Sequence, residues 1–238
     1  MNSTTPITTI LFDLDDTLFD HIGTARATLA ATAAGRAALR GVSVEDLYVR
    51  YSELLEELHP QVMTGRISYQ EARQQRFARL LAPYEPTVSA EEASEFAQYY
   101  YGHYQQLRRP VAGAQALLQA LKPTYKIGIV TNNRLAEQQE KLWHLGMSEL
   151  VDALITSEEV GVLKPDARIY EVALARLGAS PAQTVMVGDN WQADVVGALA
   201  VGIRPVWLNR TGAARPLPHV AEVTSLEPLS EVLLQLLS

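Results

Sequence analysis

The 238-residue sequence contains no cysteine. Disulfide bonds, cysteine-ligated metal centres and thiolate catalysis are therefore excluded for this chain. The absence agrees with a reducing compartment, and we expect the protein to be cytoplasmic.

The sequence also lacks an excess of positive charge and any long apolar run. Aspartate and glutamate number 27 against 20 lysines and arginines, so the net charge is -7 and we expect no nucleic-acid polymer as a partner. Every apolar run is far shorter than the roughly 20 residues that a membrane span needs. Residues 1–9 are polar and have no basic segment typical of a signal peptide. We expect a soluble protein that does not contact membranes.

Short apolar runs alternate with helical patterns along much of the chain. With 47% hydrophobic residues, the chain has enough material for a sizeable core. Strands that alternate with helices are typical of βαβ units, so we predict an α/β fold with a Rossmann-like parallel sheet. The predicted strands are 8–14, 126–130, 153–156, 184–187 and 205–208, and the predicted helices are 112–121, 135–145, 165–177 and 191–201.

Between the first and second predicted strands, the sequence shows only helical patterns. Apolar residues within 44–58 recur at three- and four-residue spacing, as on one face of a helix. Ser68-x-x-Glu71 and Ser89-x-x-Glu92 have the spacing of capping boxes, which begin helices. We therefore predict a helical domain, residues 21–105, inserted into a sheet domain that comprises residues 1–20 and 106–238.

Three aspartates, Asp13, Asp15 and Asp16, follow the first predicted strand. Ligands of parallel sheets bind at the carboxyl ends of the strands, so we expect polar groups from other strand ends to join these aspartates. Converging carboxylates suit Mg²⁺, and a hydroxyl beside a lysine suits a phosphate. The further groups are Thr131, Asn132, Lys164, Asp189 and Asp194. Taken alone, Lys164 is more typical of a solvated surface lysine, but its place before a proline in a loop after a strand favours the phosphate role. Asp194 is equally typical of a residue that stabilises a helix N-terminus.

Four segments resemble, in order, the sequence motifs of the haloacid dehalogenase superfamily. They read D-L-D-D-T-L from Asp13, I-V-T-N-N from Ile129, L-K-P from Leu163 and G-D-N-W-Q-A-D from Gly188. The resemblance implies a Rossmann-like core and identifies the helical insertion with the C1 cap of that superfamily.

The resemblance also implies a role for each matching residue. Asp13 corresponds to the nucleophile that forms an aspartyl-phosphate, and Asp15 to the general acid and base. The Mg²⁺ ligands correspond to Asp13, the backbone carbonyl of Asp15, and Asp189, with Asp194 beside them. The phosphate-holding positions correspond to Thr131, Lys164 and the backbone amide of Asn132.

The function implied is a Mg²⁺-dependent phosphomonoester hydrolase that acts on a small phosphorylated metabolite. Residues 65–77 and 206–210 are similar to pyrimidine 5′-nucleotidase-like relatives, so a nucleoside 5′-monophosphate is one candidate substrate. Arg73, Arg76 and His21 are candidate specificity residues, although a solvated helix face and a plain linker explain them equally well.

Three other functions stay open at this point. They are a 2-haloacid dehalogenase, a sugar phosphomutase and a non-catalytic regulatory module. The acid at Asp15 argues against the first, because dehalogenases of the superfamily lack an acid at that position. The sequence is compatible with a monomer and with a homodimer.

Overall fold

We describe residues 6–237 of the chain in a computed structural model. The chain forms two compact units, one comprising Met1–Asp20 and Arg109–Ser238, the other His21–Arg108. The second boundary between them therefore lies after Arg108, whereas the sequence analysis placed it at 105/106.

The first unit is built on a six-stranded sheet in which every pair of neighbouring strands is parallel. The spatial order is β3-β2-β1-β4-β5-β6, and the predicted α/β class with a Rossmann-like sheet is confirmed. The strands are β1 (Thr9–Phe12), β2 (Lys126–Thr131), β3 (Ala153–Thr156), β4 (Thr184–Gly188), β5 (Arg204–Leu208) and β6 (Ala221–Val223). The sequence analysis missed β6, which has three residues of which only Val223 is buried.

The central strands are buried on both faces of the sheet. All four residues of β1 and all five of β4 are buried, which explains why these strands have continuous apolar runs. Leu11, Val130 and Met186 belong to one core cluster with Tyr170 and its neighbours. Phe12 pairs with Ile129 of β2 on one side and with Val187 of β4 on the other. The chain that follows β1 therefore begins at Asp13, beside the ends of β2 and β4.

The helices of the first unit lie between and after the strands in sequence. They are α5 (Ala114–Leu121), α6 (Leu135–His144), α7 (Ser157–Val160), α8 (Ala167–Leu177), α9 (Gly197–Ala200) and α10 (Leu229–Leu237). The prediction of one regular helix over 191–201 was wrong, because Trp191–Val196 form a wider π-helical turn before α9. This turn begins at Asn190, whose side chain accepts a hydrogen bond from the Ala193 backbone N–H.

The two crossings out of the sheet unit are bonded to each other. Phe19 pairs with Pro110 in an antiparallel bridge, and the Asp20 backbone N–H donates to the Arg109 carbonyl at 3.0 Å. The Asp20 carboxylate accepts from Arg109 Nε at 2.8 Å and from Arg210 Nη2 at 3.1 Å. Both crossings are thereby fixed to the end of β5, which Arg210 follows closely.

The second unit consists of four longer helices and one short 3₁₀ turn, Ala37–Leu39. The helices are α1 (His21–Ala34), α2 (Val44–Met63), α3 (Tyr69–Leu81) and α4 (Ala90–Gln106). Both predicted capping boxes are confirmed, since Ser68 with Glu71 and Ser89 with Glu92 make the two reciprocal hydrogen bonds. Its core is aromatic and includes Phe77, which packs against its aromatic neighbours in α2 and α4. Across residues 6–237, no helix combines the length and the apolarity needed to cross a membrane.

Candidate active site

The loop after β1 is tied to the loop after β4. The Asp13 backbone N–H donates to the Val187 carbonyl at 2.9 Å. The Thr17 hydroxyl accepts from the Asp189 backbone N–H at 3.1 Å and lies 3.3 Å from Asp189 Oδ1, to which it donates. Asp16 adopts a left-handed backbone conformation, with φ of 61°, that lets the chain turn back on itself. These bonds bring Asp13 and Asp189 to the same edge of the sheet.

Lys164 lies at the centre of the site and is buried. Its Nζ donates to Asp13 Oδ1 at 2.6 Å, to Asp194 Oδ1 at 2.7 Å and to the Val130 carbonyl at 2.7 Å. An ammonium group has three hydrogens, so all of them are used. Burial alone would lower the pKa of Lys164, but the carboxylates of Asp13 and Asp194 raise it, so the lysine stays charged. The alternative of a solvated surface lysine is therefore wrong.

Asn132 holds the backbone of Lys164 in place. Its side-chain amide donates to the Lys164 carbonyl at 3.0 Å, and its side-chain oxygen accepts from the Lys164 backbone N–H at 2.7 Å. The sequence analysis assigned only the backbone amide of Asn132 and missed this side-chain role. The pair of bonds links the end of β2 to the loop that follows α7.

Three carboxylates converge beside Lys164. Asp13, Asp189 and Asp194 each place one oxygen within 4.8 Å of the others. Burial, together with the neighbouring carboxylates, raises the pKa of Asp13 well above its ordinary value, while Lys164 acts against this rise. Burial, reinforced by Asp194 and Asp16, raises the pKa of Asp189 to about 7. One ammonium group therefore leaves negative charge uncompensated, and a set of hard oxygen donors with that deficit fits a divalent cation such as Mg²⁺.

Asp15 points to a different set of partners. Its Oδ1 accepts from Lys141 Nζ at 2.6 Å, and its Oδ2 accepts from Gln138 Nε2 at 3.0 Å and Asn133 Nδ2 at 3.3 Å. Lys141 and Gln138 lie three positions apart on α6 and are buried. The sequence analysis missed both. The sequence pattern that could have identified them is a glutamine and a lysine on one face of the helix that directly follows the polar end of β2.

The predicted core residues line one small cavity of about 220 Å³. Its lining consists of Asp13, Asp15, Asp16, Thr131, Asn132, Lys164, Asp189, Asn190, Ala193 and Asp194. The cavity is polar, and it offers a buried cation, a threonine hydroxyl and several carboxylates at one place. Such a site can hold a metal ion and a small oxyanion together.

The three candidate specificity residues lie in the helical unit. Arg76 is buried and donates from Nη1 to the Tyr51 hydroxyl at 3.2 Å, so it does not lie on a solvated face. The Arg73 guanidinium lies 3.0 Å from the centre of the Tyr101 ring. His21 Nδ1 is 2.6 Å from the Tyr104 hydroxyl. All three therefore contact tyrosines of their own unit.

The sequence model of the haloacid dehalogenase-like hydrolases matches residues 7–202. The chain belongs to this family. The match includes β1 to β4 and every core residue of the site, so the resemblance seen in the four motifs is confirmed.

Known proteins similar to this chain include enzymes named for different substrates. The pyrimidine 5′-nucleotidase YjjG of Escherichia coli is 37% identical over 127 residues, 52% of this chain and 56% of that enzyme. The glyceraldehyde 3-phosphate phosphatase of Methanothermobacter thermautotrophicus is 31% identical over 235 residues, 94% of this chain and 96% of that enzyme. The crystal structure of a 2-haloacid dehalogenase from Pseudomonas syringae has a TM-score of 0.63 and 28% identity, covering 96% of this chain and 99% of that one.

Gly188, the last residue of β4, lets Asp194 approach the strand. A Cβ at this position would overlap the Asp194 carboxylate, which is buried and accepts from the Asn190 backbone N–H at 3.0 Å. We expect Gly188→Ala to lower the free energy of unfolding by about 1–3 kcal/mol, as overpacking does. Urea denaturation followed by circular dichroism measures this change.

Gly102→Ala is the matched control for Gly188→Ala. Gly102 lies inside α4. Within the described part of the chain, and apart from its two chain neighbours and the adjacent backbone of α4, no heavy atom comes within 4 Å of its added Cβ. We expect this change to raise the free energy of unfolding by about 0.5–1 kcal/mol, because alanine favours helix more than glycine does. A Gly188→Ala protein as stable as Gly102→Ala would contradict the close approach of Asp194.

The raised pKa of Asp189 predicts how stability depends on pH in metal-free buffer. Its pKa is about 7 in the folded chain against an ordinary value of 3.8, so folding favours the protonated form. The stabilisation is complete below pH of about 4 and is lost as the pH rises through about 7. The asparagine of Asp189→Asn cannot ionise. Between pH 5 and pH 8 the free energy of unfolding should therefore decrease less for this variant than for the wild type, and the two decreases should differ by more than about 1 kcal/mol.

Thermal melts in chelator at several pH values test this prediction. Added Mg²⁺ should raise the melting temperature of the wild type at pH 8 and should raise that of Asp189→Asn much less, because a ligand stabilises only the state that binds it. Parallel pH curves for the two proteins would show that Asp189 is not the group that titrates.

Proposed function

We propose that this haloacid dehalogenase-like hydrolase removes the phosphate group from small phosphorylated metabolites with the help of Mg²⁺. The observation that carries the proposal is the cavity in which Asp13 lies beside the buried Lys164, with Thr131 and Asp15 on the same lining. A carboxylate can attack phosphorus, while a lysine and a hydroxyl bind the oxygens of a phosphoryl group. Relatives named as phosphatases, among them the one that matches 94% of the chain, support this reading.

In the proposed reaction, a carboxylate oxygen of Asp13 forms a bond to phosphorus while the bond to the leaving oxygen breaks. Asp15 gives its proton to that oxygen, so the product leaves as a neutral alcohol. Asp15 then takes a proton from a water molecule whose oxygen attacks the aspartyl-phosphate. The bond between phosphorus and Asp13 breaks, inorganic phosphate leaves, and both aspartates return to their starting forms.

The other core residues hold the groups that react. Thr131 and the backbone amide of Asn132 would bind the phosphoryl oxygens, and the positive charge of Lys164 beside them would attract those oxygens. Asp13, Asp189 and the backbone carbonyl of Asp15 would hold Mg²⁺, which when bound offsets the negative charge of the phosphoryl group. Asp194, which is buried and bonded to Lys164, would set the position of that lysine rather than act on substrate.

A 2-haloacid dehalogenase is the second candidate, because one structural neighbour with 28% identity is named as such. That reaction also uses a carboxylate nucleophile, but it needs no proton donor for the leaving halide. Asp15, whose two oxygens are held by Lys141, Gln138 and Asn133, has no use in it. The residue therefore favours phosphate chemistry.

One set of assays distinguishes the candidate functions. Phosphate release from p-nitrophenyl phosphate is measured with Mg²⁺ and with chelator, and chloride release from 2-chloropropionate is measured in parallel. We expect Mg²⁺-dependent phosphate release and no chloride. Chloride release alone would make the protein a dehalogenase. In a third incubation, with a sugar monophosphate, phosphate moved between sugar positions without release would make it a phosphomutase. No turnover in any assay would favour a non-catalytic module.

Asp13→Asn should abolish phosphate release. The amide keeps the shape of the side chain but is a far poorer nucleophile, so kcat should fall by at least about 10³-fold. The matched control is Asp152→Asn, which removes a carboxylate that pairs with Lys122 at 2.6 Å outside the cavity lining. Activity of Asp13→Asn above a tenth of the control would exclude Asp13 as the nucleophile.

The substrate class would be set by the helical unit, which we propose to act as the family's C1 cap. A pyrimidine nucleoside 5′-monophosphate and a small sugar or triose phosphate are the first compounds to screen, because the relatives named above act on such compounds. Arg73, Arg76 and His21 are proposed as specificity residues. Arg73 is the best to test, because Arg76 is buried and its loss would weaken the helical core.

Arg73→Ala should lower kcat/KM for the best substrate of that screen by about tenfold or more, since a charged hydrogen bond contributes about 1.5–3 kcal/mol. The loss on p-nitrophenyl phosphate should be smaller, because that compound lacks the natural leaving group. Arg79→Ala is the control. Arg79 is an exposed arginine that lies on α3 like Arg73 and pairs with Glu57 of α2. Equal losses of the Arg73 variant on both substrates would indicate a folding defect instead.

A further inference from the structure

A buried lysine of α6 is directed at the proposed proton donor. Lys141 is 1% exposed, and its Nζ lies 2.6 Å from Asp15 Oδ1 and 3.3 Å from Glu137 Oε1. Its ammonium group also lies 5.0 Å from the centre of the Phe19 ring. Burying an ammonium group costs free energy unless the group is paired. The ion pairs with Asp15 and Glu137, of which the one with Asp15 is shorter, therefore determine where this charge can lie.

Gln138, one turn earlier on the same helix, connects Asp15 to Thr131. Its Nε2 donates to Asp15 Oδ2 at 3.0 Å and to the Thr131 hydroxyl at 2.6 Å. The orientation of the amide follows from Asp15, because an ionised carboxylate only accepts hydrogen bonds. Both N–H groups of the amide are thus used. Thr131 accepts one of them, which leaves its own hydroxyl hydrogen for another acceptor, such as a phosphate oxygen.

Stability alone does not explain these two residues. A buried ion pair is often no more stabilising than apolar side chains of the same size, and sometimes less. Gln138 Oε1 is buried and has no hydrogen-bond partner within residues 6–237, which is a further cost. An apolar face of α6 at these positions would avoid both costs, so a role in the reaction is the better explanation.

We propose that Lys141 and Gln138 are positioning residues that hold Asp15 for proton transfer to the leaving oxygen; this rests on the function proposed above. In the free site Asp15 is ionised beside Lys141, so it first takes up a proton from solvent. As the bond between phosphorus and the leaving oxygen breaks, that proton moves to the oxygen and Asp15 becomes a carboxylate again. The Lys141 ammonium at 2.6 Å stabilises the negative charge that returns to Asp15. Gln138, with Asn133, holds the second oxygen and so fixes the rotation of the carboxyl group.

The role predicts an effect that depends on the leaving group. Benzyl phosphate releases an alkoxide that needs a proton, whereas p-nitrophenolate leaves without one. The kcat/KM value reports the steps up to formation of the phosphorylated Asp13, which is where the leaving group departs. Lys141→Met should lower kcat/KM by about 10- to 100-fold for benzyl phosphate, part of the 10²–10⁴-fold that general acid catalysis contributes. The loss for p-nitrophenyl phosphate should be under about threefold by the same reasoning.

A second variant and a matched control accompany this measurement. Gln138→Met, of similar shape, should change the ratio of the two kcat/KM values in the same direction. Lys122→Met removes another lysine–aspartate pair of 2.6 Å, between Lys122 and Asp152, and should leave the ratio unchanged. Thermal melts identify any variant that fails to fold. If Lys141→Met fails to fold, the Gln138→Met variant is used for the test instead.

The same substitution in an Asp15→Asn background decides whether Lys141 acts through Asp15. If it does, Lys141→Met causes no further loss on benzyl phosphate once Asp15 cannot donate. A full additional loss in that background, or equal losses on both substrates in the wild-type background, would overturn the proposal. If the wild type releases phosphate but neither variant changes the ratio of the two kcat/KM values, this proposal is overturned and the proposed function is not. A wild type that releases no phosphate from either compound overturns the proposed function, and this proposal with it.

Discussion

The site depends on one ammonium group placed among buried carboxylates. Lys164 Nζ donates its three hydrogens to Asp13, Asp194 and the Val130 carbonyl. It thereby connects the loop after β1, the π-helical turn after β4 and strand β2. Without it, the carboxylates would repel one another in a region that water hardly reaches. With it, the negative charge is only partly compensated, and burial together with the neighbouring carboxylates raises the pKa of Asp13 and of Asp189 above the ordinary value. The site is thus stable enough to fold and still short of positive charge.

Asp15 belongs to a separate arrangement. It shares the Lys141 ammonium group with Glu137, and its two oxygens are held from α6 and from the end of β2. Two aspartates two residues apart therefore lie in different electrostatic surroundings.

The sequence was sufficient to predict the sheet and most of the cavity. The central strands are buried on both faces and so have continuous apolar runs, and parallel strands bring Asp13, Thr131 and Asp189 to one edge whatever the loops do. Lys141 and Gln138 could not be predicted in the same way, because such residues on a helix usually face water. Their burial follows from the contact between Lys141 and Asp15, which are 126 positions apart in the chain. The strand β6 and the π-helical turn were not predicted either. In β6 only one of three residues is buried, so the strand has no apolar run that could be recognised in the sequence.

The bonds between the two crossings have a consequence for how such a chain can change over evolution. Three contacts within the sheet unit connect the point where the insertion begins to the point where it ends. They are the Phe19–Pro110 bridge, the Asp20–Arg109 backbone hydrogen bond and the Asp20–Arg210 ion pair. The two ends of the insertion are therefore neighbours, held at a fixed spacing by residues that do not belong to it. An insertion of another length or shape can therefore begin and end at this point without altering the edge of the sheet at which the candidate active site lies.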